Sequence, residues 1–301
     1  MIHSVKVTNF KDESVDLILS KPEVSEIAVE SIDGLEPEKT SINSTDNQTS
    51  DGASFDSAVT GTKNIVFHLK FWPKDGNIER IRHNCYNYFP VKTNVKLLIN
   101  TDERYVWIDG YVESNLPTIF SETEGADISI LCMDPFFKNY SESKYVIKGV
   151  DAGFEFPFSN ESVIDKLLIM GHIRNDSESM ISYRGTEESS VKIKIVFYSH
   201  PDTITVENRT NNQIITLKIG PLYYEGHKIT NGDYIIIDTT TGKKSATLYT
   251  KNMEPYNLDY LIDLKTIEWI TLTYGENHML VYPSNYVKEF SINNNILYGG
   301  V

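Results

Sequence analysis

The sequence predicts a mainly β protein with two domains, an N-terminal α+β domain and a C-terminal antiparallel β-sandwich. Its 301 residues suffice for two hydrophobic cores. An apolar fraction of 40%, with 18 Tyr and 13 Phe, is typical of a folded, strand-rich chain rather than a disordered one. A helical apolar period occurs near residues 77–89, and most other apolar runs alternate with a period of two.

The first domain begins with a predicted strand pair, residues 1–20, around a turn at residues 11–13. A long strand follows at residues 64–72, where alternate residues are apolar. One face of it carries Ile65, Phe67, Leu69 and Phe71. The Pro-Lys-Asp-Gly sequence at residues 73–76 ends this strand.

A single helix is predicted over residues 77–89, with Ile78, Ile81 and Cys85 on one stripe and Pro90 after its end. Strands then follow at residues 95–100, 105–112 and 127–133. One helix against a meander of strands indicates an α+β domain, which we place at residues 1–140.

Residues 36–63 form a polar insert within this domain, rich in Ser, Thr, Asn, Asp and Gly, with a turn signal at Asp51-Gly52. Two interpretations remain open. The insert is either a solvated, disordered loop or a protruding hairpin whose apolar partner is another subunit. In the second case Ile42, Phe55 and Val59 are the candidate inter-subunit anchors.

A composition shift at residues 138–148 marks the predicted domain boundary, and the second domain is placed at residues 146–301. Short strands separated by turn signals indicate an antiparallel sandwich or jelly roll. The strands are predicted at residues 191–198, 203–207, 213–219, 233–238, 244–250, 269–274, 278–282 and 288–292.

Charge and hydropathy exclude several partners. A net charge of −14 argues against nucleic acid and against anionic membranes, because both require a basic surface. The sequence has no signal-peptide core and no apolar run long enough to cross a membrane, so we expect a soluble chain made in the cytoplasm. The two cysteines, Cys85 and Cys132, are expected to be buried reduced thiols rather than a disulfide.

The chain lacks the usual signatures of catalysis and of cofactor binding. It has no phosphate-binding glycine loop, no CxxC or HExxH motif and no nucleophile elbow, and its seven histidines are scattered. We therefore predict no catalytic residue, no cofactor and no metal. The nearest carboxylate candidates for a glycosidase are Asp238, Asp259 and Asp263. Asp238 opens a tight turn, where capping of its own backbone is the simpler role.

Three aromatic residues of the second domain, Tyr223, Tyr224 and Trp269, are candidate contacts for a carbohydrate. Exposed aromatic rings stack on sugar rings, but the same residues also fill cores and contacts between domains. The sequence leaves both interpretations open.

Several short motifs follow one another in order along nearly the whole chain. They are Ile32-Asp33-Gly34-Leu35 with Pro37, Asp51-Gly52, Asn64-Ile65-Val66, Arg80 and Arg82, residues 101–104 and 108–112, residues 128–137, Asn231-Gly232-Asp233, residues 235–238 and 241–244, residues 274–277, and Tyr298-Gly299-Gly300-Val301. This order resembles that of phage distal tail proteins, the Dit family of siphophage-type tail-tip and baseplate hubs, although no single motif is diagnostic. Met133 departs from the small or polar residue often found there, and Tyr274-Gly275 stands where the family often has Pro-Gly.

The resemblance implies a split β-barrel-like first domain that builds a homo-hexameric ring, with residues 36–63 as a belt hairpin that clasps the neighbouring subunit. It implies a galectin-like second domain. The expected partners are the tail tube protein, a tail-associated adhesin or lysin protein, receptor-binding proteins and host surface glycans. The expected location is the virion tail tip of a phage or prophage.

Three function classes therefore compete: a structural hub of a phage tail, a carbohydrate-binding host-recognition module acting through the second domain, and a glycoside-processing enzyme. The hub interpretation is favoured because it alone accounts for the first domain and its core-poor insert. Paired carboxylates with room for a water would favour the enzyme.

Overall fold

The structure is a computed structural model that describes residues 1–47, 51–121, 123–152, 171–174, 177–223, 225–251 and 255–301. The chain forms two compact units. Unit 1 comprises Met1–Tyr140 together with Leu297–Val301, and unit 2 comprises Ser141–Ile296. Composition placed the last five residues with the second domain, whereas their contacts place them in unit 1.

Unit 1 contains two helices, an extended sheet and a separate two-stranded hairpin. The helices are α1 (Pro22–Ser25) and α2 (Ile78–Tyr88). The strands are β1 (Ile2–Asn9), β2 (Ser14–Ile18), β3 (Ile27–Asp33), β4 (Thr40–Asp46), β5 (Ala53–Thr60), β6 (Lys63–Phe71), β7 (Asn94–Thr101), β8 (Tyr105–Pro117), β9 (Gly125–Cys132), β10 (Phe137–Asn139) and, at the end of the chain, β23 (Leu297–Tyr298).

The main sheet of unit 1 has the order β2-β1-β7-β8-β9-β6-β3, with β10 pairing with both β8 and β23. Its strands alternate buried and exposed residues, as in the β6 side chains Ile65, Phe67 and Leu69. The inward residues of β1, β2, β3, β6, β7, β8 and β9 form one core cluster. Phe137 of β10 also belongs to this cluster. The strand path has two ends, so among the described residues the sheet is not a closed barrel.

Helix α2 packs on this core. The Asn77 side chain caps its first turn by accepting a hydrogen bond from the Arg80 backbone N–H at 3.1 Å. Ile81 and Cys85 are buried, and the helix ends two residues before Pro90. The helix and its inward stripe, predicted from the switch of apolar period, are therefore confirmed. The four-residue helix α1, which begins at a proline, was not predicted.

The described part of unit 2 contains the remaining strands and three short 3₁₀ turns. The strands are β11 (Ser143–Ala152), β12 (Gly171–Arg174), β13 (Glu178–Tyr183), β14 (Ser189–Phe197), β15 (Ile204–Asn208), β16 (Gln213–Leu217), β17 (Tyr234–Asp238), β18 (Ser245–Tyr249), β19 (Pro255–Asn257), β20 (Thr271–Leu272), β21 (Gly275–Tyr282) and β22 (Val287–Asn294). The turns are Gly220–Tyr223, Asp259–Leu261 and Ser284–Tyr286.

Two antiparallel sheets build unit 2. One has the order β12-β11-β22-β14-β17-β18-β19, with β20 on β14, and the other has the order β13-β21-β15-β16. Both contribute inward side chains to a single core cluster, so the predicted sandwich is confirmed. On β14, Val191, Ile193 and Ile195 are buried, whereas Lys192 is exposed and Lys194 is partly exposed.

Unit 2 is an insertion in unit 1. The chain leaves unit 1 after β10 and returns to it as β23, and these two strands pair directly through Phe137↔Tyr298 and Lys138↔Leu297. The final residues of the sequence therefore complete the fold of the first unit.

Candidate functional site

The hairpin of β4 and β5 contributes no residue to the core of unit 1. Its two strands pair only with each other in the described sheets. Every residue of β4 is exposed, and Ile42 and Phe55 are both 68% exposed. Nothing in the described chain covers these two apolar side chains.

A β-bulge gives the hairpin one apolar face. Ile42 pairs with Ala58, and the register then shifts so that Ser44 pairs with Phe55. Because directly paired residues of an antiparallel ladder present their side chains to the same face, the shift puts Phe55 on the face of Ile42 and Ala58. Without it, Phe55 would lie on the other face.

The other face of the hairpin is polar and hydrogen-bonded. Asn43 donates to the Ser57 hydroxyl at 2.9 Å, and the Thr45 hydroxyl donates to the Asp56 carboxylate at 2.6 Å. Val59 pairs with Ser41 and lies on this face. The structure thus brings two of the three predicted anchors, Ile42 and Phe55, to one surface and places Val59 opposite them.

The two arms of the hairpin are joined at its base by a buried lysine. The Lys63 side chain is 0% exposed, and its ammonium donates to the Glu36 carbonyl at 2.6 Å and the Gly34 carbonyl at 3.4 Å. Its nitrogen lies 3.8 Å from the Glu38 carboxylate and 5.3 Å from the centre of the Phe137 ring. Burial lowers the pKa of Lys63, and the nearby carboxylates oppose that shift.

The returning end of the chain packs on the same base. The Val301 backbone N–H donates to the Leu35 carbonyl at 3.0 Å. A Cβ on Gly300 would lie 2.7 Å from Cδ of Pro37, so this close approach requires glycine. The Arg104 guanidinium lies 4.2 Å from the Tyr298 ring centre and donates to the Gly300 carbonyl at 3.3 Å.

Two sequence motifs that carried the resemblance therefore meet in space at the hairpin base. They are the segment from Gly34 to Pro37 and the final segment from Tyr298 to Val301. Gly34 has a φ of 83°, and a Cβ there would lie 2.0 Å from the Asn64 carbonyl oxygen. The sequence alone indicates no structural role for either motif and does not distinguish Lys63 from other strand residues.

The electrostatics of the hairpin are one-sided. Between residues 40 and 60 the sequence has Asp46, Asp51 and Asp56 and neither lysine nor arginine. A surface with apolar side chains and a modest negative charge suits a protein partner better than a nucleic acid or an anionic lipid.

A second exposed apolar surface of unit 1 comprises the end of β8 and the loop between β8 and β9. Leu116 and Ile119 are largely exposed, and Phe120 is fully exposed. The Ser121 hydroxyl lies within hydrogen-bond distance of two carbonyls of this loop, those of Thr118 and Thr123. This exposed apolar surface, with its exposed phenylalanine, is a second candidate for contact with another protein.

The predicted carbohydrate contacts do not form one site among the described residues. Tyr223 is half-exposed beside a 380 Å³ pocket that Ser199, His200, Asp202 and Lys228 also line. The Lys228 ammonium lies 4.7 Å from the Tyr223 ring centre. Trp269 instead packs against the unit 2 core, with Lys244 5.2 Å from its ring. Tyr224 lies outside the described residues.

The three candidate carboxylates have structural partners. Asp238 accepts the Thr240 backbone N–H at 2.8 Å, as expected for a turn-capping residue, and Asp259 accepts the Ala246 N–H at 2.6 Å. Asp263 lies 2.8 Å from the Lys218 ammonium, whose hydrogen bond lowers the pKa of that carboxyl. Each is placed to hold local structure.

The described residues contain neither a metal-binding cluster nor a membrane-spanning helix. No group of three or more His, Cys, Asp or Glu side chains there is arranged to hold a metal ion. In the same part of the chain no helix is long and apolar enough to cross a membrane.

Comparison with known proteins gives a match at the level of structure alone. No family model matches the sequence, and no curated protein matches it. Among solved structures, the chain is similar to the Dit protein of phage SPP1, described as a hub of the adsorption apparatus in phages that infect Gram-positive bacteria. That match has a TM-score of 0.63 and 8% sequence identity, and it covers 97% of this chain and 98% of the other.

Chains of the phage P2 baseplate in its activated conformation also match, at 14% identity. The calcium form gives a TM-score of 0.44 and covers 98% of both chains, and the strontium form gives 0.46 and covers 97% of both. The SPP1 match covers 97% of the chain and therefore extends over both units. The chain therefore has the fold of the SPP1 Dit hub over nearly its whole length.

Proposed function

We propose that this protein is a structural hub of a phage or prophage tail tip, in which six copies form a ring between the tail tube and the tail-associated and receptor-binding proteins. The observation that carries the proposal is the β4–β5 hairpin, whose apolar face is uncovered in its own chain. A closed ring supplies that cover in every copy and leaves no hairpin unpaired.

The fold and the charge support the same proposal. The whole-length likeness to the SPP1 hub accounts for both units. The exposed β8–β9 loop with Phe120 provides a further apolar contact for the tail tube or for the tail-associated adhesin or lysin protein. In this proposal the protein has a structural role, because it organises the assembly of the virion tail tip. That role requires no catalytic group.

Native mass spectrometry and light scattering over a range of concentrations test the ring. The proposal predicts a species of six times the 34.3 kDa chain mass, and six-fold class averages by negative-stain electron microscopy. If the isolated chain remains monomeric, its presence and symmetry are examined in assembled tails. A tail tip without this chain, or a ring of another symmetry, would overturn the proposal.

Carbohydrate binding by unit 2 is a second candidate function, favoured by the pocket beside Tyr223. An aromatic ring next to Asp202, Ser199 and Lys228 combines a stacking surface with groups that hydrogen-bond hydroxyls. A glycan array tests it. Binding that is lost in Tyr223→Ala places the site in this pocket, and binding lost in Trp269→Ala alone places it elsewhere in unit 2.

The non-enzymatic assignment has its own test. Glycan hydrolysis by the native chain that disappears in Asp238→Asn would contradict it. We expect no hydrolysis, because the Asp238 carboxylate is engaged by the Thr240 backbone N–H.

A further inference from the structure

The β4–β5 hairpin is long, and it is attached to the rest of unit 1 at a narrow base. Its strands are seven and eight residues long and pair only with each other in the described sheets. At about 3.3 Å per residue, seven residues reach roughly 23 Å. A tilt of about 10° at the base would displace the tip by roughly 4 Å, more than the length of a hydrogen bond. A hairpin that must meet a partner therefore needs a fixed base.

The Lys63 side chain connects the two arms of the hairpin at its base. It stands at the start of β6, where the second arm re-enters the sheet, and it donates to the Gly34 and Glu36 carbonyls of the first arm. Burying an ammonium group is costly, and an apolar side chain of similar length would fill the same space. What only the lysine supplies is a set of directional bonds across the base.

The final residues of the chain fix the outer side of the same base. The Val301 N–H binds the Leu35 carbonyl, and Gly300 lies against Pro37. Arg104 of unit 1 holds this segment through Tyr298 and the Gly300 carbonyl. The first arm of the hairpin is thus held between Lys63 on one side and residues encoded after the whole of unit 2 on the other.

We propose that Lys63 and the segment Leu297–Val301 are positioning elements that set the direction of the β4–β5 hairpin. The purpose of that direction rests on the proposed ring, in which the hairpin meets a neighbouring copy. The positioning itself is a property of the isolated chain. Because Gly300 and Val301 contact residues 35–37, a substitution at the end of the sequence should alter the direction of a hairpin that lies near its beginning.

Spin-label distance measurements on the full chain test this proposal. One label is placed at the hairpin tip by Asp51→Cys and one on α2 by Glu79→Cys, both exposed positions. Burial raises the pKa of both native thiols, Cys85 and Cys132, to about 12, so they remain unlabelled at neutral pH. The native base should give a single narrow distance peak.

Lys63→Met and Gly300→Ala should each widen that peak, the first by removing the bonds across the base and the second by pushing Pro37 away. Gly61→Ala is the matched control, because it lies in the same arm and a Cβ there meets nothing within 4 Å. We expect its peak to stay narrow. A narrow, unshifted peak in both Lys63→Met and Gly300→Ala would overturn the proposal.

A stability measurement separates positioning from a general structural role. Lys63→Met leaves the Gly34 and Glu36 carbonyls without their donor and should lower the unfolding temperature, so the label distances are measured well below that temperature. A structural role alone would lower the unfolding temperature and leave the hairpin direction unchanged, which would contradict the proposal. The label distances are measured on the monomer, so they decide the positioning even if the native chain forms no ring.

Discussion

Strands β5 and β6 follow each other in the chain but have opposite surroundings. In β6 every second residue is buried, from Lys63 to Phe71. In β5 no residue is buried, although Phe55 is as apolar as the buried β6 residues Ile65, Phe67 and Leu69. The difference shows that apolar residues mark a core only where enough strands converge. Two strands alone bury too little surface to cover themselves, so the apolar face of the hairpin indicates an external partner.

We expect the largest effect from substitutions on the apolar face of the hairpin, and this effect tests the comparison most severely. The double variant Ile42→Ser, Phe55→Ser should abolish ring formation, because each lost side chain removes about 1.5–3 kcal/mol of apolar burial at every subunit contact. The unfolding free energy of the isolated chain should not change. Native mass spectrometry and denaturant unfolding measure the two quantities.

Val59→Ser is the matched control for the double variant, since Val59 lies on the polar face of the same hairpin. Its ring formation should be much closer to native. Equal loss of assembly in the control, or a fall in stability of the double variant, would show that the two faces of the hairpin are not distinct.

The buried side of the comparison is tested in α2. Ile81→Ala should lower the unfolding free energy by roughly 2–4 kcal/mol, the usual cost of a large-to-small change in a packed core. Tyr86→Ala on the exposed side of the same helix should change it by less than about 0.5 kcal/mol. Chemical denaturation of the full chain reports both. Similar losses would show that α2 does not pack as described.

Much of unit 1 could be predicted from the sequence because its signals are local. The period of two in residues 64–72 and the helical stripe of Ile81 and Cys85 each depend on neighbours within one element. The hairpin face was not predictable in the same way. Phe55 and Val59 stand four residues apart, which predicts a common face in a regular strand. The bulge that separates them depends on pairing with β4.

The contacts at the base of the hairpin could not be predicted either, because they join residues that are far apart in the sequence. Lys63 looks like an ordinary strand residue until the Gly34 and Glu36 carbonyls are placed around it. Residues 297–301 read as the end of the second domain, and only their contacts with Leu35 and Pro37 place them in the first. In unit 2, Tyr223 and Trp269 have similar sequence character but different surroundings.

A smaller effect concerns pH and the outer face of the sheet. His68 lies 2.7 Å from the Asp127 carboxylate and 3.3 Å from that of Asp33, and these hydrogen bonds raise the pKa of His68. A raised folded-state pKa stabilises the protein below the unfolded value of about 6.5, and the stabilisation is lost as pH rises through the folded pKa. The stability gap between native and His68→Gln should therefore shrink as pH rises. A gap that does not vary with pH would contradict it.

The smallest expected effect is an absence of reaction. Cys85 and Cys132 are buried, and burial raises the pKa of each thiol to about 12, so neither should react with a thiol reagent near neutral pH. The unfolded chain should react at both positions. Labelling followed by mass spectrometry checks this. Rapid modification of either thiol in the native chain would show that the core opens where we describe it as closed.

The most direct test of the hub assignment replaces the hairpin and asks whether tails form. A chain in which residues 36–63 give way to a short Gly-Ser linker loses Glu36, Pro37 and Lys63 of the base together with the hairpin. A second chain therefore replaces residues 40–60 alone and keeps the base. In a complementation assay for tail assembly, we predict that the second chain folds, with an unfolding free energy close to native, and is absent from tails. Complete or infectious tails built with it would contradict the account.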